Sequence, residues 1–386
     1  MRAFHPIPLG WLQLWHRKLR FAVALAGIAF AVMLILMQLG FRASLFESAV
    51  RYQKLLNYDV AIFARNSQYI VAPESFSNRR LYQALAVEGV RTISPVYIGR
   101  APWKNPYTLE SRAVFILGID PEEDVLDAPG IVESRHQIRL QDVVLFDAAS
   151  RPEYGPIAEH FRTGESITTE VNDRQVRVGG VFSLGTSFEI DASLVTSGAN
   201  FLRLFPIRQR NQIDVGLVRV EDGVDPAAVR DRLRTLLPED VIVMTKDDFV
   251  ARETAYWNAA TPIGFVFTFG AIIGLVVGTV IVYQILFSDV SDHLAEYATL
   301  RAIGYSNGYI SGVVVQQAMI LAVLGYAFGT LTTMRLYGIA RDATKLPMEL
   351  TLERAVTVLI ATIAMCALSG LLALRRVRTL DPAEVF

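Results

Sequence analysis

Four long runs without a charged side chain constrain this chain more than any other feature. Residues 21–39, 254–288, 302–334 and 355–374 contain no Asp, Glu, Lys or Arg. A hydrocarbon core about 30 Å thick is crossed by ~20 apolar residues in a helix. Backbone amides in lipid must bond within their own segment, so each run is predicted to be a helix that spans the bilayer or lies buried in protein. The predicted fold is therefore an α-helical membrane protein with four transmembrane helices. The charged segment between the first and second runs forms a separate domain outside the bilayer.

The expected order is an inner tail (1–20), a first span (21–41), an extracytoplasmic domain (42–258) and a second span (259–287). An inner loop (288–304), a third span (305–334), an outer turn (335–354), a fourth span (355–374) and an inner tail (375–386) complete it. Arg2, Arg17, Lys18 and Arg20 precede the first run, and Arg375, Arg376 and Arg378 follow the last. Cations on short flanks favour the cytoplasmic side, so both termini are placed there. The inner loop opposes this bias, with Asp289, Asp292 and Glu296 against Arg301. So does the outer turn, with Arg335, Arg341, Lys345 and Arg354. The first helix usually sets orientation, and the N-terminal tail decides the reading. The first run exceeds the apolar core of a signal peptide and no A-x-A-like site follows before Arg42, so it is expected to stay as an anchor. Trp11 and Trp15 suit a segment lying at the inner interface.

Charge and cysteine narrow the function classes. Lys plus Arg number 37 and Asp plus Glu 38, which gives no electrostatic reason to expect a nucleic-acid partner. The single cysteine, Cys366, lies inside the last apolar run, so no intrachain disulfide forms and it reads as a small apolar residue. The outer segment is long enough to bury a core without such staples.

Within that segment, residues 58–63, 114–119, 166–171, 175–182, 214–220 and 241–244 read as strands. Residues 77–86 read as a helix with Ser77 as N-cap, and Asp225-Pro226 opens a helix to about residue 237. The period through Phe41, Leu45, Phe46, Ala49 and Val50 carries the first helix beyond the bilayer as a stalk. The pattern predicts an α+β domain, with the strand-rich residues 141–204 as an inserted lobe.

Enzyme signatures do not assemble. The chain holds no G-x-x-x-x-G-K-[ST] and no H-E-x-x-H, and its five histidines are scattered. Neither a catalytic residue, a metal ligand nor a cofactor site is assigned. Gly304-Tyr-Ser306-Asn-Gly308 matches G-x-S-x-G, but a nucleophile elbow needs a preceding strand, and here a polar helical segment precedes and a span follows. No ionisable residue lies deep in a span, which argues against a proton- or ion-coupled transporter. Gln316 and Gln317 are buried amides that need partners, most simply another helix. Gly270, Gly274 and Gly278 recur every fourth position in the second span, and Gly325 and Gly329 do so in the third. Such rows let backbones approach, within one chain or at a dimeric or moving interface. In the inner loop, Leu294, Tyr297, Ala298 and Leu300 fall on one helical side, with Asp289, Asp292, His293, Glu296 and Arg301 elsewhere. An amphipathic helix there can lie on the membrane or dock a soluble partner.

At this loop the chain resembles a known family. Glu296-Tyr-Ala-Thr-Leu-Arg301-Ala-Ile-Gly304 is similar to the E-x-A-T-L-R-A-I-G signature of FtsX-like permeases, the MacB- and Lol-type ABC transporter membrane subunits. Arg375-Arg376 and Leu380-Asp381-Pro382-Ala383-Glu384 resemble their basic, D-P-A-E tail, and the Val385-Phe386 ending without a fused ATPase looks most like the DevC branch. Many members have Glu-Ala where this chain has Gln317-Ala318. The resemblance implies a MacB-like periplasmic core and a homodimer bound to a separate ABC ATPase subunit. Asp289, Asp292, Glu296, Thr299, Leu300 and Arg301 would then be ATPase-coupling positions. It further implies a periplasmic adaptor (membrane fusion protein), an outer-membrane channel and export of membrane lipid or glycolipid from the bacterial inner membrane. Some relatives instead regulate a periplasmic partner and carry no substrate.

Overall fold

A computed structural model describes residues 10, 11, 16, 18–187 and 189–378 of the chain. The tail motif at 380–386 and the interfacial residues around Trp15 lie outside the described residues. In order, the elements are α1 (Lys18–Ala49), α2 (Arg51–Leu55), β1 (Val60–Ala64), β2 (Phe76–Ser77), α3 (Arg79–Ala84), β3 (Val90–Lys104) and β4 (Ser111–Ile119). There follow α4 (Ile131–Ser134), β5 (Val143–Asp147), α5 (Ile157–Arg162), β6 (Thr168–Val171), β7 (Arg174–Phe182), β8 (Ser193–Ser197) and α6 (Gly198–Leu204). The chain continues with β9 (Gln212–Ile213), β10 (Val215–Val220), α7 (Pro226–Leu236), β11 (Val241–Thr245) and α8 (Lys246–Ala260). Four helices complete it: α9 (Ile263–Asp292), α10 (Leu294–Ala302), α11 (Asn307–Thr344) and α12 (Leu352–Arg378).

Two compact units result, one of residues Leu45–Pro262 with Thr344–Pro347 and the other of the helical remainder. In the first, nine strands hydrogen-bond in the order β11-β1-β10-β3-β4-β8-β5-β7-β6. Most pairs are antiparallel, but β4–β8 and β5–β7 are parallel. β3 joins two halves. Its residues 90–96 pair with β10, and its residues 97–104 pair with β4. The second half closes on itself through a Trp103–Val171 pairing of β3 with β6, which removes an open sheet edge. Its core holds Trp103, Val144, Phe146, Val178, Leu194 and Phe201, and Trp103 Nε1 donates to the Tyr154 carbonyl at 3.1 Å. The mixed α/β architecture and its two-part sheet agree with the predicted α+β domain.

Local signals explain several of these elements. Asp225 accepts from Ala227 N–H at 3.0 Å with Pro226 in the first turn, so α7 starts where Asp-Pro predicts. Thr245 and Asp248 form a capping box that starts α8, a helix missing from the sequence reading. The helix expected over 77–86 is shorter. Ser77 is not its cap, because it pairs with Gln212 in the β2–β9 ribbon and Asn78 occupies the cap position.

Among the described residues four helices are long and apolar enough to cross a membrane: Lys18–Ala49, Ile263–Asp292, Ser311–Thr344 and Leu352–Leu374. α9 leaves Phe265, Phe269, Ile272, Ile273, Val276 and Val280 exposed, a stripe that suits hydrocarbon and not water. Helix ends depart from the expected spans. α1 continues to Ala49 as its period predicts, α9 runs on to Asp292, and α11 runs on to Thr344. The inner and outer loops are correspondingly short.

Candidate functional site

The turn between α9 and α11 is built by local chemistry. Gly304 ends α10 with a backbone φ of 105°, a conformation open to glycine, and Tyr305 N–H donates back to the Leu300 carbonyl at 3.0 Å. Ser306 Oγ then accepts from Tyr309 N–H at 3.4 Å, as an N-cap of α11. The G-x-S-x-G match is thus a helix stop followed by a helix start, with no strand before it.

α10 presents two faces. Tyr297 and Ala298 are buried, and Tyr297 packs with Val290 of α9, Val314 of α11 and Leu374 of α12, with Leu300 partly buried against them. Glu296 and Thr299 lie one turn apart on the exposed face, where Thr299 Oγ1 donates to the Ala295 carbonyl at 2.8 Å. The other sequence-selected positions are placed differently. Asp292 is ion-paired with Arg20 of α1. Asp289 is buried and accepts from Gln317 Nε2 at 2.8 Å. His293 Nδ1 donates to the Asp289 carbonyl at 2.8 Å. The Arg301 side chain lies outside what the structure describes.

The glycine rows meet other helices of the same chain. A Cβ on Gly270 would sit 2.6 Å from Gln38 Cδ, on Gly274 3.1 Å from Ile35 Cγ1, and on Gly278 2.4 Å from Met365 Sδ and 2.8 Å from Ala31 Cβ. On Gly325 it would sit 2.4 Å from Ile28 Cγ2, and on Gly329 2.7 Å from the Ala29 carbonyl oxygen. All five slots face α1, and Gly278 faces α12 as well. The interhelical bond expected of Gln317 forms, with Asp289 as its partner, whereas sequence reasoning missed two other polar ties between helices: Ser369 Oγ to the Thr279 carbonyl (2.9 Å) and Tyr326 Oη to the Ala355 carbonyl (2.9 Å).

The outer unit buries acids of its own. Glu253 of α8 is 1 % exposed, and burial pushes its carboxyl up to about 7. Long contacts from Ile70 N–H (3.3 Å to each oxygen) and Trp257 Nε1 (3.4 Å) offset this only in part. Asp147 is raised by burial too, against bonds from Leu184, Ala149 and Gly185 N–H. Asp214, fully buried, accepts from Ser75 Oγ (2.8 Å) and Ile98 N–H (2.6 Å) and pairs with Arg208.

Residues 21–236, more than half of the chain, match the MacB-like periplasmic core domain model, and residues 254–382 match the FtsX-like permease C-terminal model. The chain belongs to the FtsX/MacB-type ABC transporter permeases. No curated protein matches this permease. Among solved structures, the periplasmic region of MacB from Actinobacillus actinomycetemcomitans is similar at 17% identity over 50% of the permease and 91% of that chain, with a TM-score of 0.36. The extracellular domain of the noncanonic ABC-type transporter YknZ from Gram-positive bacteria is similar at 15% identity over 49% and 100%, with a TM-score of 0.35. A domain of a putative permease protein from Porphyromonas gingivalis is similar at 14% identity over 48% and 88%, with a TM-score of 0.30. Family membership makes the chain the membrane subunit of an ABC system and implies an ABC ATPase partner. The four apolar helices and the MacB-like domain fit a multi-pass inner-membrane permease.

Proposed function

We propose that this permease works as a homodimer that couples ATP hydrolysis in a separate cytoplasmic ATPase subunit to movement of its periplasmic domain. The observation that carries the reading is the two-faced α10. Its Glu296–Thr299 side is open to a soluble partner, and its Tyr297 side is packed on α9, α11 and α12. A push on the open side reaches three spanning helices through one apolar contact set. Glu296, Thr299 and Arg301 then meet the ATPase, while Leu300 secures the helix from below.

The absence of ionisable residues deep in the apolar runs supports a machine that moves its outer domain over one that passes a polar substrate between helices. On the layout of one span, a large outer domain and three further spans, the DevC branch is the subgroup we assign. The partners are then a periplasmic adaptor and an outer-membrane channel, and the cargo is lipid or glycolipid. The test replaces Glu296 and Arg301 together by Ala and measures copurification of the ATPase subunit with the full-length permease. Loss of the ATPase is expected, and wild-type recovery with wild-type ATP turnover refutes the docking face. Mass spectrometry of lipids bound to the purified complex separates export from the alternative, regulation of a periplasmic partner without a transported substrate.

A further inference from the structure

Two polar links leave the last turn of α9, immediately before α10. Asp289 receives Gln317 Nε2 of α11 at 2.8 Å, and Asp292 pairs with Arg20 of α1. Gln317 is fully buried and Asp289 is 9 % exposed. His293 closes the group from above, with Nδ1 2.8 Å from the Asp289 carbonyl and 3.6 Å from Asp289 Oδ1. Lipid tails are as apolar as leucine, so apolar contact alone holds one helix weakly against sliding along another. A buried, directional, charge-assisted bond fixes the register. The residue types also fit. An amide donates to the carboxylate without adding a charge. A second carboxylate at 317 would face the first, and an aliphatic residue would withdraw this donor.

We propose that the Asp289–Gln317 bond is a positioning clasp that locks the end of α9 to α11, so that force applied to α10 moves both helices together. Asp289 then acts through Gln317 and does not face the ATPase. This rests on the reading of α10 as the docking helix, and its test is arranged so that the two can fail separately.

The permease with its copurified ATPase is placed in nanodiscs of phosphatidylethanolamine and phosphatidylglycerol, and hydrogen exchange is followed in α10 and in α8 of the outer unit. Gln317→Glu and Gln317→Leu are expected to speed exchange in α10 by about tenfold or more, the opening equivalent of one buried hydrogen bond to a charged group. They are also expected to abolish the change that ATP with vanadate produces in α8, while the ATPase still copurifies at the wild-type level. The exchange Asp289→Asn with Gln317→Glu reverses donor and acceptor across the same gap. It is expected to restore both readouts to within about twofold. Exchange in the double variant as fast as in Gln317→Glu, or an unchanged ATP response in Gln317→Leu, overturns the clasp. Loss of the ATPase from Gln317→Leu also overturns it, because the pair would then belong to the docking face. Retention of the ATPase by the Glu296 and Arg301 double variant defeats the docking reading alone.

Discussion

Glu253 gives the outer unit a measurable pH dependence. Its carboxyl titrates near 4.5 in an unfolded chain and at about 7 in the fold, because burial penalises the charged form more than its contacts with Ile70 N–H and Trp257 repay. The folded state therefore binds the proton more tightly than the unfolded state. The stability it contributes is fully present below pH 4.5 and is lost as pH rises to about 7. At about 1.36 kcal/mol per tenfold change in proton affinity, the loss is about 3 kcal/mol. The side chain is almost fully buried, so solvent screening takes little from that figure. Glu253→Gln keeps the shape and removes the charge. The assay is urea unfolding of the full-length permease in nanodiscs from pH 4 to pH 8, followed by tryptophan emission; Trp257 Nε1 lies 3.4 Å from Glu253 Oε1. Wild type minus variant isolates Glu253 from Asp147, which burial shifts in the same direction. The variant should match wild type near pH 4 and exceed it by about 3 kcal/mol at pH 8. Parallel curves for the two proteins would refute the reasoning.

Other substitutions probe the packing and the topology. Gly325→Ala forces a Cβ to 2.4 Å from Ile28 Cγ2 and should cost about 1–3 kcal/mol, read as a lower melting temperature, whereas Gly338→Ala, with nothing within 4 Å, should cost nothing. Asp214→Ala strands Arg208 and the Ile98 N–H and should destabilise the outer unit by about 3–5 kcal/mol in denaturant. Cysteine at exposed Thr108 should react with a membrane-impermeant maleimide added to intact spheroplasts, and cysteine at exposed Ala295 should react only after lysis; Cys366 is buried and gives little background. Labelling of both positions from outside would reverse the assigned orientation of α10.

The spans were legible because charge exclusion is a property of composition, readable without knowing any partner. α7 was legible because Asp225-Pro226 acts through its own next residues. β3 was not. No strand is expected over 90–104, where Pro95, Gly99 and Pro102 disfavour one, yet the strand runs through all three and changes partner between Val96 and Tyr97. α8 was missed although its signal was present: Thr245 and Asp248 have the capping-box spacing just before the helix. On α10 the apolar side could be read from periodicity, since it is set within one helix. That Asp289 and Asp292 serve inside the helical unit could not, since their partners, Gln317 and Arg20, stand far off in the chain.

The distribution of polar contact along α1 bears on how the helices can move. Tyr337 Oη of α11 donates to the Leu36 carbonyl at 2.5 Å, and Arg20 pairs with Asp292 of α9. At about 1.5 Å rise per residue these ties stand ~24 Å apart along α1, close to the thickness of the hydrocarbon core. Between them the glycines supply backbone contact: Gly274 and Gly278 from α9, Gly325 and Gly329 from α11, each against residues 28–35 of α1. Close-packed interfaces are bistable and not continuously deformable, so a shift there calls for the rows to step and not to creep. A step requires at least one end tie to open. The Arg20–Asp292 pair is partly exposed, and exposed pairs are weak, typically about 0–1 kcal/mol. The Tyr337 bond is buried. On the proposed reading of α10 as the docking helix, motion started there is expected to open the weak tie first and to pivot α1 about the Tyr337 end. Arg20→Ala should ease that motion, and Tyr337→Phe should remove its fulcrum.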